Sequence, residues 1–256
     1  MNDFIERSLR MCGGILLDLT DKGSTNGIWE GDQFKAEADR IAHEFLSNQI
    51  KLSFPDIPIV SEEDEVSINQ NHSKYFMIDP IDGTASFAHG FSGWVTQMAY
   101  MENEIPIRSG IYVPVTNEYF EAEKNQGAFC NKKPLTIGSQ GETINSVIDN
   151  YPQAEGITLE LVNDFNIKDY IESGSIALKI CRIADNTADV FFKDMNPRDW
   201  DLAAPKLVLE EAGGVLSDAV GGEVIFGQTN RAHHGLIAAR NTSLLNKVLN
   251  WYSLRE

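Results

Sequence analysis

Two stretches near the start of the chain carry apolar residues at every third or fourth position, the spacing of a helix with one buried face. The first has Phe4, Ile5, Leu9, Cys12, Leu16 and Leu19 on that face, and the second has Ala38, Ile41, Phe45 and Leu46. A polar, glycine-rich loop is predicted between them, from Asp21 to Asp32. The chain is therefore expected to open with two amphipathic helices that pack against a core.

Short apolar runs bounded by turn residues follow the two helices and predict strands. They lie at 57–60, 75–78, 94–101, 105–113 and 118–123, and the last three form an antiparallel meander that extends to 130. From about 146 the pattern changes to strands at 147–148, 190–192, 215–216 and 236–238, alternating with helices at 175–184, 200–212 and 243–252. This predicts an α/β chain of two halves: an α+β half at 1–145 with an antiparallel sheet, and an α/β half at 146–256.

Composition describes an acidic globular protein. The 256 residues can bury a substantial core, and 42% of them are hydrophobic. The formal net charge of −17 argues against a nucleic-acid partner, because phosphate backbones are bound by a surplus of lysine and arginine. The three cysteines, Cys12, Cys130 and Cys181, lack metal-ligand spacing, so we expect a reduced, cytoplasmic setting. The first helix is amphipathic rather than a membrane span, so no membrane partner is expected.

Two carboxylates stand at the end of the second predicted strand, in the run from Asp79 to Thr84. Asp79 and Asp82 are separated by Pro80 and an isoleucine, and Gly83 leads into the next helix. Carboxylate oxygens are hard ligands that suit Mg²⁺ or Mn²⁺, and the amides of Gly83 and Thr84 at a helix start could hold an anionic oxygen. A metal beside an anion hole indicates phosphate chemistry, whereas the alternative is an ordinary capped turn.

Two further acidic blocks occur upstream and downstream of this run. Glu62 follows the strand at 57–60, and Asp201 opens the helix at 200–212. A buried strand would deliver Glu62 to its exposed end, whereas the alternatives are a solvated acidic run at Glu62 and a helix N-cap at Asp201. The pair His233–His234 is interpreted as loop residues rather than metal ligands, because nothing nearby in the sequence completes a site.

Together, these blocks resemble a known family. Ser-Glu-Glu at 61–63, Asp-Pro-Ile-Asp-Gly-Thr at 79–84, and Trp-Asp-Leu-Ala-Ala at 200–204 with Glu-Ala-Gly-Gly at 211–214 occur in the order and approximate spacing of the Mg²⁺-dependent, lithium-sensitive inositol monophosphatases. The resemblance covers nearly the whole chain. It implies a layered αβαβα sandwich of the sugar-phosphatase type, with the active site between the two halves. It also implies a homodimer that acts on a small phosphorylated metabolite.

The resemblance further implies a role for each acid. Glu62, Asp79 and the Ile81 carbonyl would hold the metal that activates water. Asp79, Asp82 and Asp201 would hold the metal that faces the leaving oxygen, so that Asp79 bridges the two. Two metals about 3.5–4 Å apart can stabilise both the attacking and the leaving oxygen of an in-line displacement. Glu62 could also help to hold a third, weaker Mg²⁺, and Mn²⁺ could replace Mg²⁺.

The attacking water and the substrate have predicted contacts of their own. Thr84 matches the family residue that orients the water, and Asp39 would be its partner, because a threonine hydroxyl is too weak a base to act unaided. With Glu62, these residues form the predicted catalytic set. The amides of Gly83 and Thr84 would hold phosphate oxygens, and Ser175, in the family's Gly-Ser block, would contact the substrate.

The identity of the substrate depends on a departure from the family pattern. Inositol monophosphatases place a glutamate after the strand at 190–192 to bind sugar hydroxyls, and this chain has Lys193 there. A cation at that position favours a second anionic group on the substrate, as in 3'(2'),5'-bisphosphate nucleotidases, unless Lys193 is a solvated rim residue. Lys179 and Arg198 could add positive charge nearby.

The function predicted from the sequence is Mg²⁺-dependent hydrolysis of an inositol monophosphate or a related sugar or polyol phosphate by metal-activated water. A 3'(2'),5'-bisphosphate nucleotidase is the alternative enzyme. A regulatory or binding protein that keeps the fold with little turnover is an alternative of another class. The complete set of acids argues against this last alternative, because a purely structural role would not require them all.

Overall fold

Two long helices, α1 (Asn2–Asn26) and α2 (Gly31–Ser53), form the first layer of the fold. The structure, a computed structural model, describes residues 1–26, 31–138 and 141–255, including all side chains except those of 21–36 and 229. The loop predicted from Asp21 to Asp32 is wrong in its extent, because α1 continues to Asn26 and α2 begins at Gly31. Polar residues alone do not end a helix whose earlier turns are held by packing. The centre of that loop, 27–30, lies outside the described residues.

A seven-stranded sheet follows, in which every strand lies beside its neighbour in the sequence. Its strands are β1 (Ile59–Ser61), β2 (Lys74–Asp82), β3 (Val95–Glu102), β4 (Ile105–Val113), β5 (Glu118–Glu123), β6 (Gly127–Cys130) and β7 (Lys133–Leu135). β1 and β2 are parallel, and the other neighbouring pairs are antiparallel. The predicted meander is confirmed. Two short helices, α3 (Glu65–Ile68) and α4 (Thr84–Ala88), begin shortly after β1 and β2 end.

The second half of the chain alternates strands and helices around a five-stranded sheet. Its elements are β8 (Ser146–Asp149), α5 (Gly156–Phe165), β9 (Asp169–Glu172), α6 (Ile176–Ala184), β10 (Val190–Lys193), α7 (Asp199–Glu211), β11 (Val215–Ser217), β12 (Leu236–Ala239) and α8 (Thr242–Ser253). The strand order is β11-β12-β10-β8-β9, and β10, β8 and β9 are mutually parallel neighbours. The sequence pattern had predicted all of these elements except α5 and β9.

Three hydrophobic clusters define the layers of the molecule. α1 and α2 pack on one face of the first sheet, α6 and α7 lie between the sheets, and α5 and α8 cover the outer face of the second sheet. β2 shows why this sheet needs cover on both faces: Phe76 and Ile78 point toward α1 and α2, while Tyr75 and Met77 point toward the middle layer. The predicted αβαβα sandwich is confirmed. None of the described helices combines the length and the apolarity needed to cross a membrane.

The two halves meet closely beside α4. β7 ends at Leu135 and β8 begins at Ser146, so the chain passes from the first sheet to the second between these residues. The division into halves at 1–145 and 146–256 stays a prediction. A Cβ on Gly174 would lie 2.7 Å from the Gly93 carbonyl oxygen, and a Cβ on Gly93 would collide with the Gly174 nitrogen. These two glycines therefore permit a backbone approach that brings the start of α6 beside α4.

Candidate active site

The ends of β1 and β2 bring the predicted acids to one edge of the first sheet. Because these two strands are parallel, Glu62 after β1 and the acidic end of β2 lie at the same edge. The pairing of β2 with β3 changes register between Asp79 and Asp82, where Pro80 has no N–H to donate. Residues three positions apart in a regular strand face opposite sides of the sheet. The irregularity allows both carboxylates to turn into one pocket.

Asp201 joins this pocket from the other half of the chain. It lies in the first turn of α7, and one carboxylate oxygen from each of Asp79, Asp82 and Asp201 lies within 4.8 Å of the others. Asp201 Oδ2 also accepts a hydrogen bond from the Arg198 N–H at 2.7 Å, at the start of the helix. The N-cap of α7 is Arg198, so the interpretation of Asp201 as the N-cap is wrong. Asp201 is the third residue of the helix, where it bonds the N-cap N–H and also belongs to the acid cluster.

Burial raises the pKa of all three carboxyl groups, and neighbouring negative charges add to this effect for Asp79 and Asp201. Burial, followed by the negative charges of Glu62, Asp82 and Asp201, holds the pKa of Asp79 well above its usual value. Burial and the charges of Asp82 and Glu62 have the same effect on the pKa of Asp201. Burial also raises the pKa of Asp82, although hydrogen bonds to its carboxylate reduce the effect. A bound cation would relieve this repulsion.

The start of α6 holds Asp82 in place. The Ser175 hydroxyl donates to Asp82 Oδ2 at 2.5 Å, and the Ala177 N–H donates to the same oxygen at 2.7 Å. Ser175 Oγ also accepts the Leu178 N–H at 2.9 Å, which caps α6. The Ser175 side chain is fully buried. A substrate contact from Ser175 stays a prediction, because the structure uses its hydroxyl to position Asp82 and to cap the helix.

Asp79 has one carboxylate oxygen that lacks a protein partner. Its Oδ2 accepts the Gln97 side-chain amide at 3.2 Å, whereas nothing among the described residues donates to its buried Oδ1. A buried carboxylate oxygen without a donor is costly unless a cation binds it. Mg²⁺ and Mn²⁺ prefer hard oxygen ligands of the kind that Asp79, Asp82 and Asp201 supply. The residues present therefore fit a divalent cation.

Glu62 lies at the open side of this cluster. Its side chain is exposed, and it is not one of the three acids within 4.8 Å, yet its charge raises the pKa of Asp79 and Asp201. A cavity of about 470 Å³ opens beside it and is lined by Glu62, Ile68, Arg198 and Trp200, among others. Glu62 therefore acts on the cluster electrostatically, and its role as a metal ligand stays a prediction.

The start of α4 carries the residues predicted to orient water and to hold phosphate. Gly83 precedes the helix with a φ of 87°, a left-handed conformation that favours glycine, and a Cβ there would meet the Gly93 oxygen at 2.9 Å. The Thr84 hydroxyl donates to the Ile81 carbonyl at 3.0 Å, which leaves that oxygen a second lone pair for a cation. Asp39 is buried on α2, which contacts α4. The pairing of Asp39 with Thr84 stays a prediction.

Lys193 is held by the protein and is not a solvated rim residue. Its side chain is 16% exposed, and its ammonium group contacts the Asp149 carboxylate at 2.8 Å and the Asn150 side-chain oxygen at 2.9 Å. Asp149 is buried and has no other cation among its described ion pairs. Any second anionic group on a substrate would therefore compete with Asp149 for Lys193.

The other two candidate cations are also placed by internal contacts. Lys179 is buried, and its ammonium group donates to the carbonyls of Ser173 and Gly174 at 3.2 Å each. A contribution of Lys179 to substrate binding stays a prediction. Burial lowers the pKa of Lys179 to about 8. Arg198 is exposed at the cavity beside Glu62, and its guanidinium donates to the Asn230 carbonyl. Of the three, Arg198 has the most open position.

Sequence reasoning missed two groups of residues that support the site. Gln97 lies opposite Asp79 on β3, and a glutamine within an apolar strand is a signal that could have identified it. Asp199, Arg231 and His233 form a buried ion cluster at the start of α7. His233 does lie in a loop, as predicted, but its side chain contacts Asp199 at 2.8 Å. No local motif in the sequence connects these three residues.

Comparison with known proteins identifies the family. Residues 11–252 match the model of the inositol monophosphatase family. Because the match spans nearly all of the sequence, the chain belongs to this metal-dependent family, and it is a phosphoric monoester hydrolase. The resemblance inferred from the three acidic blocks is thereby confirmed.

Individual relatives align over most of their length. The fructose-1,6-bisphosphatase/inositol-1-monophosphatase of Thermotoga maritima is 29% identical over 254 residues, which cover 96% of each chain. The Nus factor SuhB of Xylella fastidiosa is 26% identical over 229 residues, 85% of this chain and 81% of the relative. The crystal structure of inositol monophosphatase-II from Staphylococcus aureus superposes with a TM-score of 0.82 at 19% identity, covering 98% of this chain and 94% of that one. The last comparison confirms the fold.

Proposed function

We propose that this chain hydrolyses a small phosphomonoester, an inositol monophosphate or a related sugar or polyol phosphate, with Mg²⁺ as its cofactor. The observation that carries the proposal is the cluster of buried Asp79 and Asp82 with half-buried Asp201, beside the start of α4. Carboxylates that raise one another's pKa contribute little to the stability of a fold. They suit a site that gathers cations for an anionic substrate.

The residues proposed to hold Mg²⁺ are these three acids together with Glu62 and the Ile81 carbonyl. Bound there, Mg²⁺ would offset the negative charge of the phosphate and lower the pKa of water. The chain itself must orient the water. Because the Thr84 hydroxyl directs its proton to the Ile81 carbonyl, its oxygen can accept a hydrogen bond from that water. Rotation of the hydroxyl toward Asp39 would then pass a proton to a carboxylate buried on α2.

The residues at the starts of α4 and α6 are proposed to position both the phosphate and the acids. The backbone amides of Gly83 and Thr84, at the start of α4, are proposed to hold phosphate oxygens. Ser175 supports this arrangement from α6, because its bond to Asp82 fixes the carboxylate nearest that helix. The absence of side chains at Gly93 and Gly174 leaves room for the starts of α4 and α6 to lie side by side.

Two observations bear on the number of phosphates in the substrate. The ion pair of Lys193 with Asp149 leaves little net positive charge at that position, which supports a monophosphate. A bisphosphorylated sugar or nucleotide is the second candidate, because Arg198 lines the open cavity beside Glu62. The name of the Thermotoga maritima relative, which includes both fructose-1,6-bisphosphate and inositol-1-phosphate hydrolysis, is compatible with either.

Phosphate release tests the proposal directly. The panel contains inositol monophosphates, sugar monophosphates and bisphosphates, histidinol phosphate and adenosine bisphosphates, each assayed with Mg²⁺, Mn²⁺ or excess EDTA. We expect release from an inositol or sugar monophosphate with Mg²⁺ and none in EDTA. Asp79→Asn should lower kcat by on the order of a thousandfold, because it removes charge stabilisation of the transition state. Full activity in EDTA would contradict the metal-dependent reaction, and a higher kcat/KM for bisphosphates would favour the second candidate.

A regulatory protein that keeps the fold is the remaining alternative. The relative named Nus factor SuhB supports it, since that name describes a regulatory role. The acids of this chain support turnover instead, because Asp79, Asp82 and Asp201, from both halves of the chain, converge on one cluster that suits divalent cations. Binding of Mn²⁺ without phosphate release from any member of the panel would favour the regulatory alternative.

A further inference from the structure

A buried ion cluster at the start of α7 lies outside the predicted site. Asp199, Arg231 and His233, which we call the clamp, each have at most 7% of their surface exposed. Asp199 is the first residue of α7, two positions before Asp201. Its Oδ1 accepts His233 Nε2 at 2.8 Å, and its Oδ2 accepts Arg231 Nη1 at 3.0 Å and the Gly227 N–H at 2.8 Å. Both oxygens of this fully buried carboxylate are therefore satisfied.

The same arginine reaches the segment that follows Glu62. Arg231 Nε donates to the Ile68 carbonyl and Nη2 donates to the Gln70 carbonyl, both at 2.9 Å. These carbonyls lie at the end of α3 and just after it. A guanidinium presents its donors in one rigid plane, so bonds on several of its edges fix the groups relative to one another. One side chain thus ties the segment after Glu62 to the start of α7.

The clamp lies at a place where the two segments are separated by open space. The cavity of about 470 Å³ has Glu62 and Ile68 on one side and Trp200 on the other. Side-chain packing across an open cavity cannot fix a separation. The backbone N–H of His233 also donates to the Pro197 carbonyl at 2.9 Å. This bond attaches the loop that carries His233 to the residues just before α7. The clamp therefore links the segment after Glu62 to the start of α7 across the cavity.

We propose that Arg231 and His233 are positioning residues of the metal site, which set the separation of Glu62 from Asp201 and thereby the affinity for divalent cations. The inference rests on the proposed function, because it takes both acids to belong to one metal site. Arg231 and His233 act through Asp199 and the end of α3. Loss of residues that orient metal ligands typically weakens metal binding by about 10- to 100-fold.

Binding of Mn²⁺, measured as free Mn²⁺ by electron paramagnetic resonance, tests the inference without any turnover. His233→Phe keeps an aromatic ring against Phe226 but removes the donor to Asp199. His233→Gln keeps an N–H donor of similar reach. We expect the Kd for Mn²⁺ to rise about 10- to 100-fold in His233→Phe. His233→Gln should restore most of the native affinity.

Arg231 provides a second pair of variants. Arg231→Met removes the guanidinium donors to Asp199, Ile68 and Gln70. It should raise the Kd for Mn²⁺ at least as much as His233→Phe. Arg231→Lys keeps the charge but not the planar donors, so its Kd should lie between those of the native protein and Arg231→Met. In the phosphatase assay, these variants should raise the half-saturating Mg²⁺ concentration more than they lower kcat at saturating Mg²⁺, because the metal ligands themselves remain.

Arg240 is the matched control. It is also buried and pairs with Asp189 at 2.6 Å, at the opposite end of β10 from Lys193. Arg240→Met should lower the unfolding temperature while leaving the Kd for Mn²⁺ unchanged. Hydrogen exchange gives an independent measurement: the amides of residues 64–70 should exchange faster in metal-free Arg231→Met than in the native protein, and Arg240→Met should leave them unchanged.

The outcomes separate the inference from the proposed function. Clamp variants that melt earlier but bind Mn²⁺ with the native Kd would show that the clamp only stabilises the fold, which overturns the inference and leaves the proposed function intact. A native protein that does not bind Mn²⁺ would overturn the proposed function, and the inference with it. If Arg231→Met does not fold, the comparison of His233→Phe with His233→Gln decides.

Discussion

At the scale of single residues, side chains that bond the backbone at the start of a helix also build the site. Ser175 caps α6 through the Leu178 N–H and holds Asp82 through its own hydroxyl. Asp201 bonds the backbone at the start of α7 and contributes an oxygen to the acid cluster. Because helix ends already carry unpaired backbone groups, a polar residue there can satisfy the helix and face a ligand. Substitutions at these positions are therefore expected to change stability and activity together.

Lys193 allows a test of the substrate class. Lys193→Gln removes the positive charge, while Asp149 keeps the Thr158 hydroxyl at 2.6 Å and the Asn150 N–H at 2.8 Å. Because the native charge is already paired with Asp149, we expect KM to change by less than about threefold for mono- and bisphosphates alike. Steady-state kinetics on both substrate types provide the measurement. A rise of tenfold or more for bisphosphates alone would show that Lys193 leaves Asp149 to bind a second phosphate.

Lys179 allows a test of pH dependence. Burial lowers its pKa to about 8 from the usual 10.5, although the charges of Asp149 and Asp82 act in the opposite direction. Between these two values the unfolded chain binds a proton that the folded chain lacks. The stability of the native protein should therefore rise as the pH increases from about 8 to 10.5, and fall as the pH returns to about 8.

Lys179→Met should remove this dependence. The variant should be more stable relative to the native protein at pH 8 than at pH 10.5: the difference in free energy of unfolding, variant minus native, should be about 3 kcal/mol larger at pH 8. Urea unfolding at several pH values measures this difference, and Lys168→Met, at an exposed lysine, is the control. A difference that stays constant across this pH range would mean that folded Lys179 titrates at its usual pKa.

The residues that the sequence could predict are those whose signal is local. Asp79 and Asp82 share one turn after a strand, and the parallel pairing of β1 with β2 brings Glu62 to the same edge. The clamp has no such signal, because Arg231 bonds residues 163 and 32 positions away, Ile68 and Asp199. The sequence alone does not distinguish a buried arginine from an exposed one. The same holds for Lys193, whose partner is 44 positions away.

At the scale of elements, the prediction missed a strand without buried residues and ended α1 too early. β9 is the edge strand of the second sheet, and none of its four residues is buried, so it has no apolar alternation to detect. The end of α1 was assigned to a loop because it is polar, yet the helix continues. Segments with a strong buried pattern, such as β2 and α6, were predicted within a few residues. α5 is the exception, because it was missed although Leu161 lies in the core and Ile157, Val162 and Phe165 pack against it.

The contact of α4 with α6 depends on glycine. Gly174→Ala would add a methyl group that collides with Ser86 Oγ of α4 and lies 2.7 Å from the Gly93 carbonyl oxygen, so the start of α6 must move away from α4. We expect this overpacking to lower the free energy of unfolding by about 1–3 kcal/mol. Because Ser175 and its bond to Asp82 move with it, kcat should also fall, by on the order of tenfold or more. Urea unfolding and phosphate release at saturating Mg²⁺ provide the two measurements.

Gly14→Ala is the control for Gly174→Ala. Gly14 lies in α1, and a Cβ there would have no neighbour within 4 Å, so the same substitution adds no clash. It should raise the free energy of unfolding by about 0.5–1 kcal/mol, since alanine is the better helix former, and leave kcat unchanged. Native stability and kcat in Gly174→Ala would show that the two segments are free to separate.

At the scale of the whole molecule, charge opposes both folding and substrate binding. The chain carries a formal charge of −17, and its site concentrates acids that burial makes costly. An anionic substrate approaches such a protein against its overall field. Cations bound at the cluster would reverse the local sign of charge at the point where Gly83 and Thr84 are proposed to hold phosphate. Metal binding, stability and substrate binding should therefore be coupled.

Thermal unfolding in the presence of divalent cations tests this coupling. A cation that binds the folded state alone should stabilise it by about 2.7 kcal/mol at a concentration a hundredfold above its Kd. For a chain of this length, that corresponds to a rise in Tm of about 5–10 °C. Calorimetry in EDTA and then in increasing Mg²⁺ or Mn²⁺ should show a rise in Tm that continues logarithmically with cation concentration.

NaCl at matched ionic strength should give a much smaller rise in Tm, because it screens charge without occupying the cluster. Asp79→Asn should lose most of the cation-dependent rise, since Asp79 supplies the buried oxygen that lacks a donor among the described residues. Equal rises in NaCl and MgCl₂, or an undiminished rise in Asp79→Asn, would mean that divalent cations act on the general surface charge and that the cluster of Asp79, Asp82 and Asp201 is not their site.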